Sequence, residues 1–360
     1  MNLEFLNVTA GDLMTGHYYK PGSIYYFPEL GWQPFVDTMR LIRSRPEADS
    51  HNWPMYPLWM QACAKRFADE PDAGPWTWPN LESGYRRMVA SYEKHGYAME
   101  LGSGGEVPIT VAIEADGKMP VLQGHKRAAL IRAFIGTDYP MTVYVSERNA
   151  DWVALKQAVV DASGGKTNAY HPLPHPEFRH WPVTQPCEER WAMIQGTPGS
   201  ITGKVLDLGC HTGWFCRMFA EGDAWVVGIE GNAALLDVAR AVGTYRDDAG
   251  TQPQYINSTI EDYLAQTTEQ FDVCLCLSVA MHLFAKLGHD GGWAQLRRVS
   301  QLCNRMYLDI AFGGYSQYLP FTPETIADEI IAHTEFTTCR LLGRTAHENR
   351  PFYLFEKEQT

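Results

Sequence analysis

The run Lys204-Val205-Leu206-Asp207-Leu208-Gly209-Cys210-His211-Thr212-Gly213-Trp214-Phe215 constrains this chain more than any other stretch. A short apolar strand ends in an acidic residue and runs straight into a glycine turn. An apolar helix follows, with Phe215, Met218 and Phe219 at helical spacing. Beyond it, Ala224-Trp225-Val226-Val227-Gly228-Ile229-Glu230 reads as a second buried strand that again ends in a carboxylate. The pattern is a βαβ unit, and it predicts a nucleotide-type site at the carboxyl edge of a parallel sheet. Gly209 and Gly213 stand where backbone must approach a ligand closely. Glu230, at the tip of the second strand, can accept hydrogen bonds from two ribose hydroxyls.

A dinucleotide fingerprint would read Gly-x-Gly-x-x-Gly. Here the acid stands two residues before the first glycine, in Asp207-Leu208-Gly209-Cys210-His211-Thr212-Gly213. That arrangement resembles motif I of the class I S-adenosylmethionine (SAM)-dependent methyltransferases. In that family the glycine turn passes the methionyl part of SAM, and the acid after strand two holds the ribose. The resemblance covers roughly residues 195–360. Residues 271–283 look like the family's fourth strand and the loop after it. Ser258-Thr259-Ile260-Glu261-Asp262 stands where the loop after strand three meets the adenine. Residues 305–311 read as strand five, and 336–344 with 351–357 as the terminal antiparallel pair. One departure is His211, where the family often has a middle glycine. The resemblance implies a Rossmann-like seven-stranded sheet. It also implies SAM contacts at Asp207, Gly209, Cys210, Gly213, Trp214, Glu230, Gly231, Asn232, Ile260, Glu261 and Ser278.

The length suggests two domains. No apolar run approaches the roughly 20 residues of a membrane span. The start, Met1-Asn2-Leu3-Glu4-Phe5, lacks the basic head and apolar core of a signal peptide, so a cytoplasmic protein is expected. The cysteines read as buried reduced thiols, and no Cys/His spacing indicates a metal site. Against 30 Lys and Arg stand 42 Asp and Glu. That balance counts against nucleic acid as a partner, because phosphate neutralisation dominates such binding.

The first hundred residues are rich in prolines and aromatics, among them Tyr18, Tyr19, Tyr25, Tyr26, Phe27, Trp32, Trp53, Tyr56, Trp59, Trp76 and Trp78. Helices are expected at 34–44, 57–68 and 81–95, the first two each opening on proline. A strand is expected at 107–113, a hairpin turn at 115–118 and a return strand at 119–123. Gly124-His125-Lys126-Arg127 then opens a helix through Phe134, and 140–145 makes one more strand. Glycine followed by cationic residues at a helix start makes an anion site. The block at 80–148 looks like the ParB/sulfiredoxin-like α+β fold, whose Gly-His-x-Arg-type turn binds phosphate. That resemblance implies phosphate contacts at Gly124, His125, Lys126 and Arg127, from ATP or CTP with Mg2+. The bland alternative is a helix start whose basic residues are solvated. Glu82, Glu106 and Asp116 are the carboxylates near enough in sequence to serve a phosphoryl transfer. Ser163-Gly164-Gly165-Lys166-Thr167 is similar to the end of a P-loop, but the upstream glycine is missing and the run reads as a loop.

Three segments are therefore expected: a ParB/sulfiredoxin-like α+β domain with an aromatic-rich extension at 1–150, a Pro/His-rich connector or lid at 151–194, and a methyltransferase domain at 195–360. Five prolines exclude regular helix across most of 168–190. His171, His175 and Arg179 in that connector are candidate acceptor contacts, or else linker residues packed on the surface. His282, after the fourth strand, is the candidate general base, or else a residue that shapes the pocket. No Asn/Asp-Pro-Pro-Tyr/Phe tetrapeptide follows strand four, which argues against methylation of base amino groups. The reading is O-methylation of a small-molecule or glycan-type acceptor. Its rivals are a bifunctional enzyme with a kinase-like first domain, a nucleic-acid-targeted methyltransferase, and an inactive scaffold.

Overall fold

The computed structural model describes residues 4–14, 31–60, 78–96, 108–199, 202–246, 250–346 and 348–358. The chain divides into two compact units. One comprises Met1–Ala154, His175–Glu177 and Thr244–Asp248; the other comprises Leu155–Pro174, Phe178–Gly243 and Ala249–Thr360.

The first unit is built on strands β1 (Glu4–Thr9), β2 (Leu13–Met14), β3 (Ile109–Ile113), β4 (Met119–Gln123) and β5 (Pro140–Arg148), in the order β1-β5-β3-β4-β2. The hairpin between β3 and β4 closes where the Glu114 amide donates to the Lys118 carbonyl, with Gly117 at φ 80°. β5 runs three residues beyond the expected end because Ala112 and Ile113 of β3 pair with Glu147 and Arg148. β1 pairs antiparallel with β5 and was not expected from sequence. Val8 alone of its residues is buried, so its alternation signal is weak. The helix Gln33–Ser44 starts one residue ahead of Pro34 and buries Phe35, Val36, Met39 and Ile42. The helix Trp78–His95 buries Leu81, Tyr85 and Val89 at four-residue spacing. Trp53 packs on the second of these helices, 5.6 Å from Trp78 and 6.4 Å from Tyr85, so these rings are core. Residues 18–27, Cys63, Trp76, Glu106 and most of the helix expected at 57–68 lie outside the described residues.

The run at 163–167 closes a helix, Ala150–Ala162. The amides of Gly164 and Gly165 bond back to the carbonyls of Asp161 and Val160, which is the Schellman closure of a helix end.

Among the described residues the second unit holds seven strands: β6 (Lys204–Leu208), β7 (Trp225–Glu230), β8 (Gln254–Asn257), β9 (Phe271–Leu277), β10 (Cys303–Asp309), β11 (Thr338–Arg344) and β12 (Pro351–Glu356). Their order is β11-β12-β10-β9-β6-β7-β8. β6 to β10 are parallel, and β12 runs antiparallel to β10 and β11. The parallel strands are nearly continuous apolar runs because both faces are covered. Leu206, Leu208, Val227, Ile229, Cys274 and Cys276 pack on one face; Val205, Val226, Val273, Leu275 and Leu277 pack on the other. The chain leaves β6 toward β7 and β8 on one side and returns to β9 on the other. That reversal opens a crevice at the carboxyl ends of β6 and β9, the place where open α/β sheets bind ligands. Among the described residues, no helix is long and apolar enough to cross a membrane.

Candidate active site

The turn after β6 carries three left-handed residues in alternation: Gly209 at φ 68°, His211 at φ 53° and Gly213 at φ 70°. A Cβ on Gly209 would stand 2.9 Å from Val279 Cγ2, and one on Gly213 would run into the Tyr255 ring. The turn is tied down by the Cys210 amide on the Ile229 carbonyl, at 2.9 Å, and by the Gly213 amide on the Cys210 carbonyl, at 2.8 Å. Gly213 then caps the helix Trp214–Glu221. His211 takes up the left-handed conformation despite its Cβ, and its ring lies tilted to Tyr170 at 4.8 Å and edge-on to His171 at 5.5 Å.

Glu230 closes β7 beside this turn. Its carboxylate accepts the His211 amide at 3.1 Å on one oxygen and the Asn232 amide at 2.9 Å on the other. A carboxylate offers about four acceptor positions, so capacity remains for further donors. Its own carbonyl accepts from Ser258 and Asn257, which ties the ends of β7 and β8 together. Ile260 and Glu261 follow on the first turn of the helix Ile260–Gln266, capped by Thr259, with Glu261 paired to Lys286 at 2.8 Å.

Asp207 lies beneath the turn, 3% exposed. The Cys216 thiol donates to it at 3.2 Å. Burial raises the Asp207 carboxyl to about 7, and Glu230 adds to the rise, while the Cys216 hydrogen bond and Arg190 oppose it. Cys210 and Cys216 both crowd Gly228, and both are buried free thiols. Among the described residues, no group of three His, Cys, Asp or Glu could hold a metal ion.

Ser278 stands at the end of β9 at φ 56°. Its amide and hydroxyl both donate to Asp309 Oδ1, the hydroxyl at 3.2 Å. Asp309, at the end of β10, takes Arg190 on its other oxygen at 3.1 Å. Arg350 Nη1 donates to the Ser278 hydroxyl at 2.8 Å. Burial raises the pKa of the Tyr170 phenol, which lies near enough to Arg350 for its charge to oppose the rise. Arg190, Asp309, Arg350 and Tyr170 were missed as site residues by sequence reasoning. Asp309 carried a signal, a carboxylate ending a buried strand; the two arginines carried none.

Of the three connector residues, His171 joins this cluster. It is buried against Phe215 and His211, its Nδ1 has no hydrogen-bond partner among the described residues, and burial holds its pKa well below the ordinary histidine value. His175 instead bonds the Gly117 carbonyl at 2.9 Å and packs on Trp152 and Tyr245. Arg179 donates to the Pro174 carbonyl. His282 is exposed on the first turn after β9, with its ring edge-on to Tyr315 at 4.9 Å. Partial covering lowers its pKa, so the imidazole is neutral near pH 7 and able to accept a proton.

In the first unit Gly124, at φ 95°, caps the helix His125–Phe134. The His125 ring is stacked on Trp32 at 4.8 Å and edge-on to Phe35 at 4.5 Å, and burial pushes its pKa down to about 4. Lys126 lies 5.8 Å from the Tyr85 ring centre, and the Arg127 guanidinium lies beside Gly124. Glu82 accepts from Ser50 and Arg86, and Asp116 pairs with Lys118.

Residues 205–301 match the family model described as a methyltransferase domain. The chain is 32% identical over 130 residues to the ubiquinone biosynthesis O-methyltransferase of Bordetella pertussis, covering 33% of this chain and 52% of that protein. It is 36% identical over 91 residues to the protein of the same name from Vibrio vulnificus, covering 25% of this chain and 37% of that one. The chain thus spans about half or less of the length of the curated relatives it matches. A crystal structure of WbdD aligns with a TM-score of 0.47 at 22% identity, covering 56% of this chain and 47% of that one. The matched family and the O-methyltransferase relatives support a class I SAM-dependent methyltransferase domain in the second half of this chain.

Proposed function

We propose that the chain transfers a methyl group from SAM to an oxygen of a small-molecule or glycan-type acceptor. The observation that carries the reading is Glu230. Its carboxylate is aimed by two backbone amides beside a turn where His211 and both glycines are left-handed. That is a rigid polar edge suited to a pair of ribose hydroxyls. Bound SAM supplies an electrophilic methyl: a carbon–oxygen bond forms as the sulfur–carbon bond breaks, and S-adenosylhomocysteine (SAH) is left. The residues at hand do the rest. The turn at 209–213 with Trp214, Gly231 and Asn232 cradles the cofactor, and Ile260 and Glu261 flank its base. Ser278, fixed by Asp309, shapes the wall where the acceptor oxygen arrives. His282, neutral at physiological pH, takes the acceptor's proton. Much of the rate comes from holding the acceptor in line. On this reading the segments 1–150, 151–194 and 195–360 are a ParB/sulfiredoxin-like domain, a lid and the methyltransferase domain, with His171 as the one of the three expected lid residues that lies beside the glycine turn. Calorimetric titration with SAH tests it. Saturable binding in both the parent and His282→Ala, with methyl transfer lost only in the variant, is the expected result. Absence of SAH binding in the parent would overturn the reading.

A second reading rests on Gly124. It caps a helix without a side-chain hydrogen bond, with Lys126 and Arg127 on the first turn. Such a start suits a phosphate, which would make the enzyme bifunctional with ATP or CTP and Mg2+ as a second ligand. His125 would contribute its amide alone, since its ring is packed into the aromatic core. Titration with ATP, CTP and Mg2+ against Arg127→Ala tests this.

A further inference from the structure

We propose that Arg350, with Ser278 and Tyr170, docks an anionic group, a carboxylate or a phosphate, carried by the methyl acceptor, and that Glu348 occupies this point until the acceptor displaces it. The proposal rests on the methyltransferase reading of the same site.

The Arg350 side chain is 11% exposed. A cation so nearly sealed needs a counter-charge. Asp309 is engaged by Arg190 and Ser278. Arg350 is instead matched by Glu348, two residues earlier, which accepts Nε at 2.5 Å and also pairs with Nη2. Glu348 is 48% exposed on a surface turn. To bring its carboxylate back onto Arg350, the chain places two consecutive non-glycine residues in the left-handed region, Glu348 at φ 62° and Asn349 at φ 49°. Such residues are uncommon singly. An inner guanidinium is thus covered by an outer carboxylate on a bent-back turn.

The planar fork of arginine fits carboxylate and phosphate oxygens in pairs, and a pair with an exposed carboxylate is weak and readily exchanged. The location matches an acceptor. Nη1 already bonds the Ser278 hydroxyl, at the end of β9, where the proposed function brings the acceptor oxygen. Tyr170 lies close enough to Arg350 and Ser278 for both to act on its phenol, which offers a donor for one anion oxygen.

The experiment uses the full chain with 15N-labelled arginine. The Arg350 Nε–H resonance, identified by its loss in Arg350→Lys, is followed by NMR during titration with inorganic phosphate and, separately, with benzoate, each with SAH bound. A saturable shift with at least one anion is expected, and the anion preferred names the group. Glu348→Gln removes the competitor and should tighten that binding by about fivefold, the worth of one exposed pair. An arginine with a purely structural role would show no such gain. No saturable shift in either protein, or no tightening in Glu348→Gln, overturns the proposal. So does SAH alone moving the resonance and blocking the anion, which would assign Arg350 to the cofactor's own carboxylate. Failure of SAH to bind would instead overturn the methyltransferase reading, and the acceptor assignment with it.

Discussion

The Arg190 guanidinium and the Asp309 carboxylate lie 3.1 Å apart with 3% and 1% of their side chains exposed. The pair joins the helix Glu188–Gln195 to the end of β10, and through Asp309 it fixes Ser278 at the end of β9.

Removing one partner strands the other in the core. Asp309→Ala should cost about 3–5 kcal/mol of stability, read from urea unfolding. The paired replacement Arg190→Met with Asp309→Leu should cost much less, because no buried charge is left alone. Equal losses in the two proteins would show that the pair is not the stabilising element.

Glu230→Ala removes the acceptor of two backbone amides and of the two expected ribose hydroxyls. SAH affinity should fall by about 1.5–3 kcal/mol for each charge-assisted bond lost, measured by calorimetry. An unchanged affinity would remove the ribose assignment.

Asp207 sets a pH dependence. Its folded pKa of about 7 stands above the ordinary 3.8, so the folded state holds the proton more tightly than the unfolded chain. Stability therefore falls as pH rises from about 4 toward 7, and is recovered below that window. Asp207→Asn keeps an acceptor for the Cys216 thiol and removes the titration. The difference in unfolding free energy between parent and variant should change by a few kcal/mol across that window, on the order of 1.4 kcal/mol per pH unit. A constant difference would show that Asp207 does not hold its proton more tightly in the folded state.

Gly213→Ala meets two obstacles, a left-handed backbone and the Tyr255 ring. The backbone alone costs roughly 1–2 kcal/mol, and the clash adds to it. Adding Tyr255→Ala relieves the clash but not the backbone strain. A double-mutant cycle by thermal unfolding should show coupling of that sign; strict additivity would contradict the contact.

Local sequence was enough for β6 and β7, whose observed limits at Lys204–Leu208 and Trp225–Glu230 lie within a residue of the reading. Buried parallel strands are short apolar runs, and the glycines and acids at their ends mark the turns. The helix at 125–134 and the hairpin before it were legible for the same reason, since hydrogen bonds between near neighbours close both. β1 was not, because its partner β5 is more than a hundred residues away.

The sequence by itself determined the βαβ unit, the crevice it opens and the carboxylate that guards it, because these depend on residues a few positions apart. Only the tertiary structure decided which distant side chains meet there. It brought Arg190, Ser278, Asp309 and Arg350 into one network and drew His171 to the glycine turn while His175 bonded Gly117. Those meetings follow from strand order and burial across long sequence separations, where no local periodicity carries a signal.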